Sequence, residues 1–420
     1  MNTWEQWEAK TQSLLAAKEW EACIQHINAI SPKDRKDTRY IRSLERACQK
    51  LLAVPAYQHH AALLRKAAYT YYDACFENHA LVLHHDKQYC RTQAAHYFSL
   101  LLQQERRPLD TYRYAQLLYC SSNDFFSREP LATKRHLREK AYDLYEETIQ
   151  TIEKEKADAY TALYNQACYA LGRCGLELIS SYSVLLHEIS LVADVPLPFF
   201  GNKEIYKTRL QRVHACLDTL RAIKQLPRQI KNTADIKQIS QNQDKAEHIY
   251  YLLGKAFDYA WQFGLCENKI LARQWAERYY TYACEIHYYK MKYAQRIKPF
   301  FHMYIALANV YIRQKDKKSC IKIWKRYQLS NHIPLGYQRI TAIRWAIVEK
   351  KYEKARQIIT AYQNKKDWQE GLSPQRTAAC RHIVDALQGK FKTEENQPYS
   401  GSQLKVLLKL TKRCHPVPKQ

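Results

Sequence analysis

The chain predicts an all-α fold made by stacking antiparallel helical hairpins, and three observations carry that expectation. Its 420 residues include only 9 Gly and 13 Pro, too little punctuation for the closely spaced turns of a sheet protein. The apolar residues are mostly Leu, Ala, Ile and Tyr, recurring at intervals of three and four instead of alternating, which is the period of a one-sided helix. A hairpin-sized pattern of large, small and aromatic residues then returns along the chain, as stacked repeats require.

Taken in order, the periodicity predicts helices over 4–17 and 19–30, forming a first hairpin closed by Ser31-Pro32. Further helices are expected over 39–54, 56–84, 89–104, 110–120 and 133–154, with an extended loop at 121–130. Residues 157–189 are apolar enough for a buried helix or helix pair. Pro196 and Pro198 forbid helix continuation, so the chain divides there into an N-terminal helical-repeat region, 1–192, a linker, 193–202, and a C-terminal repeat region, 203–393. A helix is expected over 203–224, whereas 232–244 is polar enough to read as an exposed loop or weak helix. In the tail, 394–420, a short basic helix over 403–412 is suited to covering the last hydrophobic face of the stack.

The repeat pattern is clearest over 246–362. Tyr250, Leu253, Gly254 and Phe257 form one first-helix set, followed by Ala272, Ala276 and Tyr279; Tyr304, Leu307, Ala308 and Tyr311 are followed by Cys320, Trp324 and Tyr327; Ala342, Ile343 and Ala346 are followed by Ala355, Ile359 and Tyr362. A weaker copy pairs Tyr112, Ala115, Gln116 and Tyr119 with Ala141, Tyr145 and Thr148. In this spacing the chain resembles the tetratricopeptide repeat, in a degenerate form with irregular repeat lengths. That resemblance implies a right-handed superhelix of hairpins, an α-solenoid whose curved surface binds other protein subunits and, less often, nucleic acid.

The formal charge of +25, from 66 Lys and Arg against 41 Asp and Glu, draws in polyanions such as RNA or single-stranded DNA, or an acidic protein. The 13 Cys are odd in number, scattered and free of C-x-x-C spacing, so they read as reduced buried thiols and not as a disulfide or zinc framework. A polar, acidic start and the lack of any apolar run near the membrane-spanning length predict a cytoplasmic protein without a membrane partner.

Nineteen Lys and Arg between 287 and 366 face only Asp316, Glu349 and Glu353 within that window. On a helix, Lys315, Lys318, Lys322 and Lys325 fall on one stripe, opposite Cys320, Trp324 and Tyr327. The expected nucleic-acid-binding residues are Lys290, Lys292, Lys298, Lys318, Lys322, Lys325 and Arg326, touching phosphates without reading bases. Tyrosines interleaved with these charges at 279–282 and 288–293 offer stacking surfaces, although most of the 33 Tyr must pack internally. Arg91 with His96, Arg209 with His214 and Arg376 with His382 have the minimal spacing of one class of helical ribonucleases, at a frequency that 16 His produce by chance. The His59-His60 and His84-His85 pairs lack matched ligands for a metal. Without a phosphate-cradling glycine loop or a nucleophile elbow, the chain reads as a scaffold with no catalytic residues and no cofactor.

Overall fold

A computed structural model describes residues 3–30, 38–76, 86–123, 130–155, 158–180, 184–193, 202–293, 300–329, 333–363, 374–391 and 401–414. The fold is all-α: the described residues form nineteen helices packed against their neighbours, with no strand among them. They group into two compact units, residues 1–174 and 175–420. The division falls within a helix, upstream of the predicted linker, most of which lies outside the described residues.

The first unit holds α1 (Thr3–Ala16), α2 (Trp20–Asn28), α3 (Thr38–Leu52), α4 (Ala61–Phe76), α5 (Lys87–Gln104), α6 (Pro108–Ser122), α7 (Leu131–Glu155) and the start of α8 (Thr161–Ser180). Helices adjacent in sequence pack together, α4 on α5 and α6 on α7 most extensively. Cys23, Ile27, Leu44, Leu51 and Leu63 form the core shared by α1 to α4, which is where the three-and-four spacing directs them. Across α4 to α6, Arg65 donates to Asp110 at 2.8 Å and to Glu105 at 2.6 Å, while Tyr69 donates to Asp110 at 2.5 Å.

The second unit contains the end of α8, then α9 (Val184–Val192), α10 (Lys203–Ile223), α11 (Thr233–Asn242), α12 (Ala246–Gln262), α13 (Lys269–Tyr293), α14 (His302–Gln314), α15 (Lys317–Arg326), α16 (Leu335–Val348), α17 (Tyr352–Gln363), α18 (Pro374–Leu387) and α19 (Gly401–Cys414). The three hairpins expected over 246–362 are the packed pairs α12–α13, α14–α15 and α16–α17. Gly254 marks the close approach in the first of them: a Cβ there would lie 2.7 Å from Cδ1 of the buried Tyr280 ring. The polar stretch 232–244 is not a loop. Asn232 caps α11 by accepting from the Asp235 N–H, one of the orphan donors that start the helix, and Asp235 reaches back to accept from the Lys231 N–H ahead of the cap. At the other end, α19 buries Val406, Leu407 and Leu410 against α18, as a capping helix does.

Turns between these helices use glycine at Gly264 and Gly389 but more often a residue with a side chain. Lys18, Gln225, Lys315, Gln328 and Lys350 all take left-handed φ between 49° and 60°. After Lys18, Gln225, Lys315 and Lys350, the next N–H reaches back five residues to a helix carbonyl, for example Lys351 to Ala346 at 2.7 Å. This is the Schellman closure, which reverses the chain in two or three residues. A side chain in that conformation costs about 1–2 kcal/mol relative to glycine.

One helix breaks the sequential pattern. α9 returns to pack against α14, α16 and α18, and it carries Glu188, which is fully buried. Arg344 on α16, itself 2 % exposed, grips that carboxylate with two hydrogen bonds of 2.8 and 2.7 Å and donates a third to Asn309 on α14 at 2.9 Å. Arg376 on α18 stands 3.2 Å from the same carboxylate. Burial pushes the Glu188 carboxyl upward, but the charge and hydrogen bonds of Arg344 outweigh it and hold the group below the ordinary carboxylate range. Burial drives the neighbouring His187 ring down to about 3, with Glu188 opposing and Arg344, Arg376 and Arg313 assisting.

Three predictions follow from this architecture. Lys350→Gly relieves the left-handed strain and raises the unfolding free energy by up to about 1 kcal/mol after the entropy cost of glycine is subtracted; an unchanged or lower value in denaturant unfolding would show that the closure is unstrained. Glu188→Gln leaves Arg344 buried without its counter-charge and destabilises the second unit by about 3–5 kcal/mol in urea unfolding, whereas a loss within about 0.5 kcal/mol would assign the organising role elsewhere. Because the folded His187 pKa lies below its unfolded value, the unfolded chain binds the extra proton between about pH 6.5 and 3, so stability rises with pH over that window and levels off above it. His214 and His302 are also lowered by burial and act with the same sign. His187→Asn therefore removes part of the slope in a pH series of unfolding free energies, and an identical slope would contradict the assignment.

Candidate polyanion-binding site

The expected cationic residues separate into two classes. Lys290 is buried on α13: its ammonium donates to Glu247 at 2.7 Å and to the Gln243 carbonyl at 3.1 Å, where α11 meets α12. It supports the helix packing and is not presented to a ligand. Arg326 is exposed but its guanidinium lies 2.6 Å from Glu285 of α13. Lys298 lies outside the described residues. Lys292 is exposed beside the Tyr293 ring, and Lys318, Lys322 and Lys325 are exposed on α15.

The acid deficit of the 287–366 window is likewise smaller in space than in sequence. Arg313 pairs with Asp258 and stands over the Trp261 ring; Arg344 pairs with Glu188; Arg356 pairs with Asp385 at 2.6 Å. Lys317 and Lys351 both hold Glu349, lowering its carboxyl to about 2. All but Glu349 of these carboxylates come from outside the window. Lys322 and Lys325 form no ion pair with a described residue, and the charge of Lys318 acts on the capping Asp316.

Local sequence fixes how α15 displays them. The Asp316 carboxylate caps the helix by accepting the Ser319 N–H at 3.0 Å, and Lys325 and Arg326 complement the negative C-terminal end. Lys315, assigned to the same stripe from its spacing, instead closes α14 in a left-handed conformation and is not part of α15. At about 100° per residue, Lys325, Lys318, Lys322 and Arg326 occupy one continuous arc, and Cys320, Ile323 and Tyr327 the buried one. Ile321 and Trp324 lie between the two.

That intermediate arc forms one wall of a groove. Cys320, Ile321 and Trp324 face Gln338, Thr341, Ala342 and Trp345 of α16 across a volume of about 230 Å³. Ile321 is 45 % exposed, Trp324 and Trp345 are half-buried, and the Trp345 indole hydrogen-bonds the Cys320 sulfur. Trp324, expected on the dry face, stands at the edge of that face with its ring toward the groove. Trp345 was not singled out in the sequence; a tryptophan that is not part of its repeat's first-helix set was the available signal.

The interleaved tyrosines mostly pack inward. Tyr279 stacks on Tyr250 and Trp275, Tyr280 is buried, and Tyr288 meets Tyr327 edge-on. Tyr293, 62 % exposed and 4.4 Å from Tyr289, is the outward member. Among the Arg/His pairs, Arg376 is committed to Glu188 and His214 packs edge-on against Phe257, while His96 is exposed beside Tyr97. Twelve cysteines are described, all unbonded and ten of them buried, and no cluster of metal-ligating side chains occurs among the described residues. No described helix is long and apolar enough to cross a membrane. Comparison with protein-family models finds none that matches the chain, and comparison with curated proteins likewise finds no match.

Proposed function

We propose that this chain is a non-enzymatic, tetratricopeptide-like scaffold subunit of a cytoplasmic complex, a right-handed superhelix of hairpins whose α15 surface contacts nucleic acid or a nucleoprotein. The observation that carries the reading is the outward arc of Lys318, Lys322 and Lys325, beside which the described carboxylates pair with neighbouring arginines instead. Hydrated point charges on flexible stems suit contact with phosphates, independent of base sequence. The net charge of +25 strengthens the approach of any polyanion. A second reading, capture of a peptide or acidic protein by an adaptor, is favoured by the apolar groove beside that arc.

Binding of nuclease-treated protein to single-stranded RNA, single-stranded DNA and duplex DNA, measured between about 50 and 200 mM salt, separates them. With three phosphate contacts on a single strand, log K falls against log salt with a slope of about −2 from this arc alone. Lys318→Glu/Lys322→Glu/Lys325→Glu removes that part of the slope and weakens every nucleic acid. An unchanged slope in the variant, or no binding at the lowest salt, would leave the protein adaptor as the better reading.

A further inference from the structure

We infer that the groove between α15 and α16 is a base-stacking site, so that the nucleic acid held by the α15 lysines is single-stranded. This rests on the polyanion reading above and specifies its ligand. The juxtaposition is direct: the exposed Ile321 forms the lip between the cationic arc and a groove that contains two indoles, Trp324 from one helix and Trp345 from the other. A strand whose phosphates follow Lys318, Lys322 and Lys325 has room to turn its bases across the Ile321 lip into the groove. Planar aromatic walls accept any base by its π-face, and the half-buried indoles are held by their helices without needing to be ordered on binding. Paired bases in a duplex are already stacked and enclosed by their own backbones, so they cannot enter.

Charge weighs against the main competing occupant, an apolar peptide. A groove of about 230 Å³ accepts one or two planar rings, and its rim is cationic, which suits a nucleic acid. A nucleic acid takes much of its affinity from phosphates and needs only a small stacking platform. Among the described residues, the carboxylates paired with α15, Asp316, Glu285 and Glu349, are engaged by the helix cap, by Arg326 and by Lys317 with Lys351, which leaves the lip of the groove cationic.

Labelled oligo-rU, oligo-dT and a duplex of matched length would be titrated against the full chain and three variants. Trp324→Ala removes one wall, and Ala342→Leu fills the groove from an exposed helix position without deleting a packed side chain; circular dichroism and the denaturant midpoint verify that each is folded. The expected result is preference for one or both single strands, quenching of tryptophan fluorescence on binding, and a loss of about 5- to 100-fold for single strands in both of these variants with duplex affinity nearly unchanged. Trp324→Phe, which keeps an aromatic face, restores most of the affinity. Single-strand binding that Ala342→Leu leaves unaltered, or equal losses for single strands and duplex, overturns the stacking site while sparing the polyanion reading. Absence of all nucleic-acid binding overturns both, and competition by an acidic peptide that is blocked by Ala342→Leu assigns the groove to protein.

Discussion

The second unit is organised around one buried charge. Glu188 has no solvent to stabilise it, so the helices that surround α9 must supply cations, and they do so from two directions, Arg344 from α16 and Arg376 from α18, while Asn309 on α14 accepts a hydrogen bond from Arg344 and steadies it. A fully apolar contact would be comparably stable, because desolvating an ion pair offsets much of its attraction. What the charge adds is uniqueness. An apolar α9 could slide or rotate on its neighbours by one turn, whereas the bidentate geometry of Arg344 admits one register. The candidate site inherits this constraint, since α15 leaves directly from α14 and the groove's other wall is α16, the two helices that Arg344 joins.

The same interaction explains how the unit departs from a simple repeat stack. In a nearest-neighbour array each helix touches those just before and after it, and most helices here obey that rule. Helix α9 instead meets partners 156 residues away. Such a contact costs loop-closure entropy, and it ties α9 directly to α14, α16 and α18.

Helix positions were legible because they depend on local period: the sets around Tyr250, Tyr304 and Ala346 all fall on helices in packed pairs. The joints were not. Lysine and glutamine at Lys18, Gln225, Lys315 and Lys350 occupy conformations normally read from glycine, and nothing in their identity announces it. Helix α11 was concealed for the opposite reason, since a polar segment with a single buried residue, Ile239, owes its helix to the Asn232–Asp235 cap and to packing on α13. Lys290 misled because its partner Glu247 lies 43 residues earlier; charge counted in a sequence window cannot see a carboxylate delivered by another helix.

The distribution of the two basic residue types gives the site a logic that a charge total does not. Arg313, Arg326, Arg344 and Arg356 are all engaged by carboxylates of other helices, and three of them form multiple hydrogen bonds. Lys318, Lys322 and Lys325 face water. The planar guanidinium presents several donors in fixed geometry and tolerates partial dehydration, so it can hold helices together at a defined angle. An ammonium is strongly hydrated and points in no fixed direction, which makes it a poor strut and a suitable counter-charge for a mobile phosphate backbone. Lys290 is the exception that clarifies the rule: it is buried only where a carboxylate and a carbonyl converge on its single nitrogen. The basic excess of this segment is therefore two populations, one that fixes the helices and one left on their surface, and only the second is available to a partner.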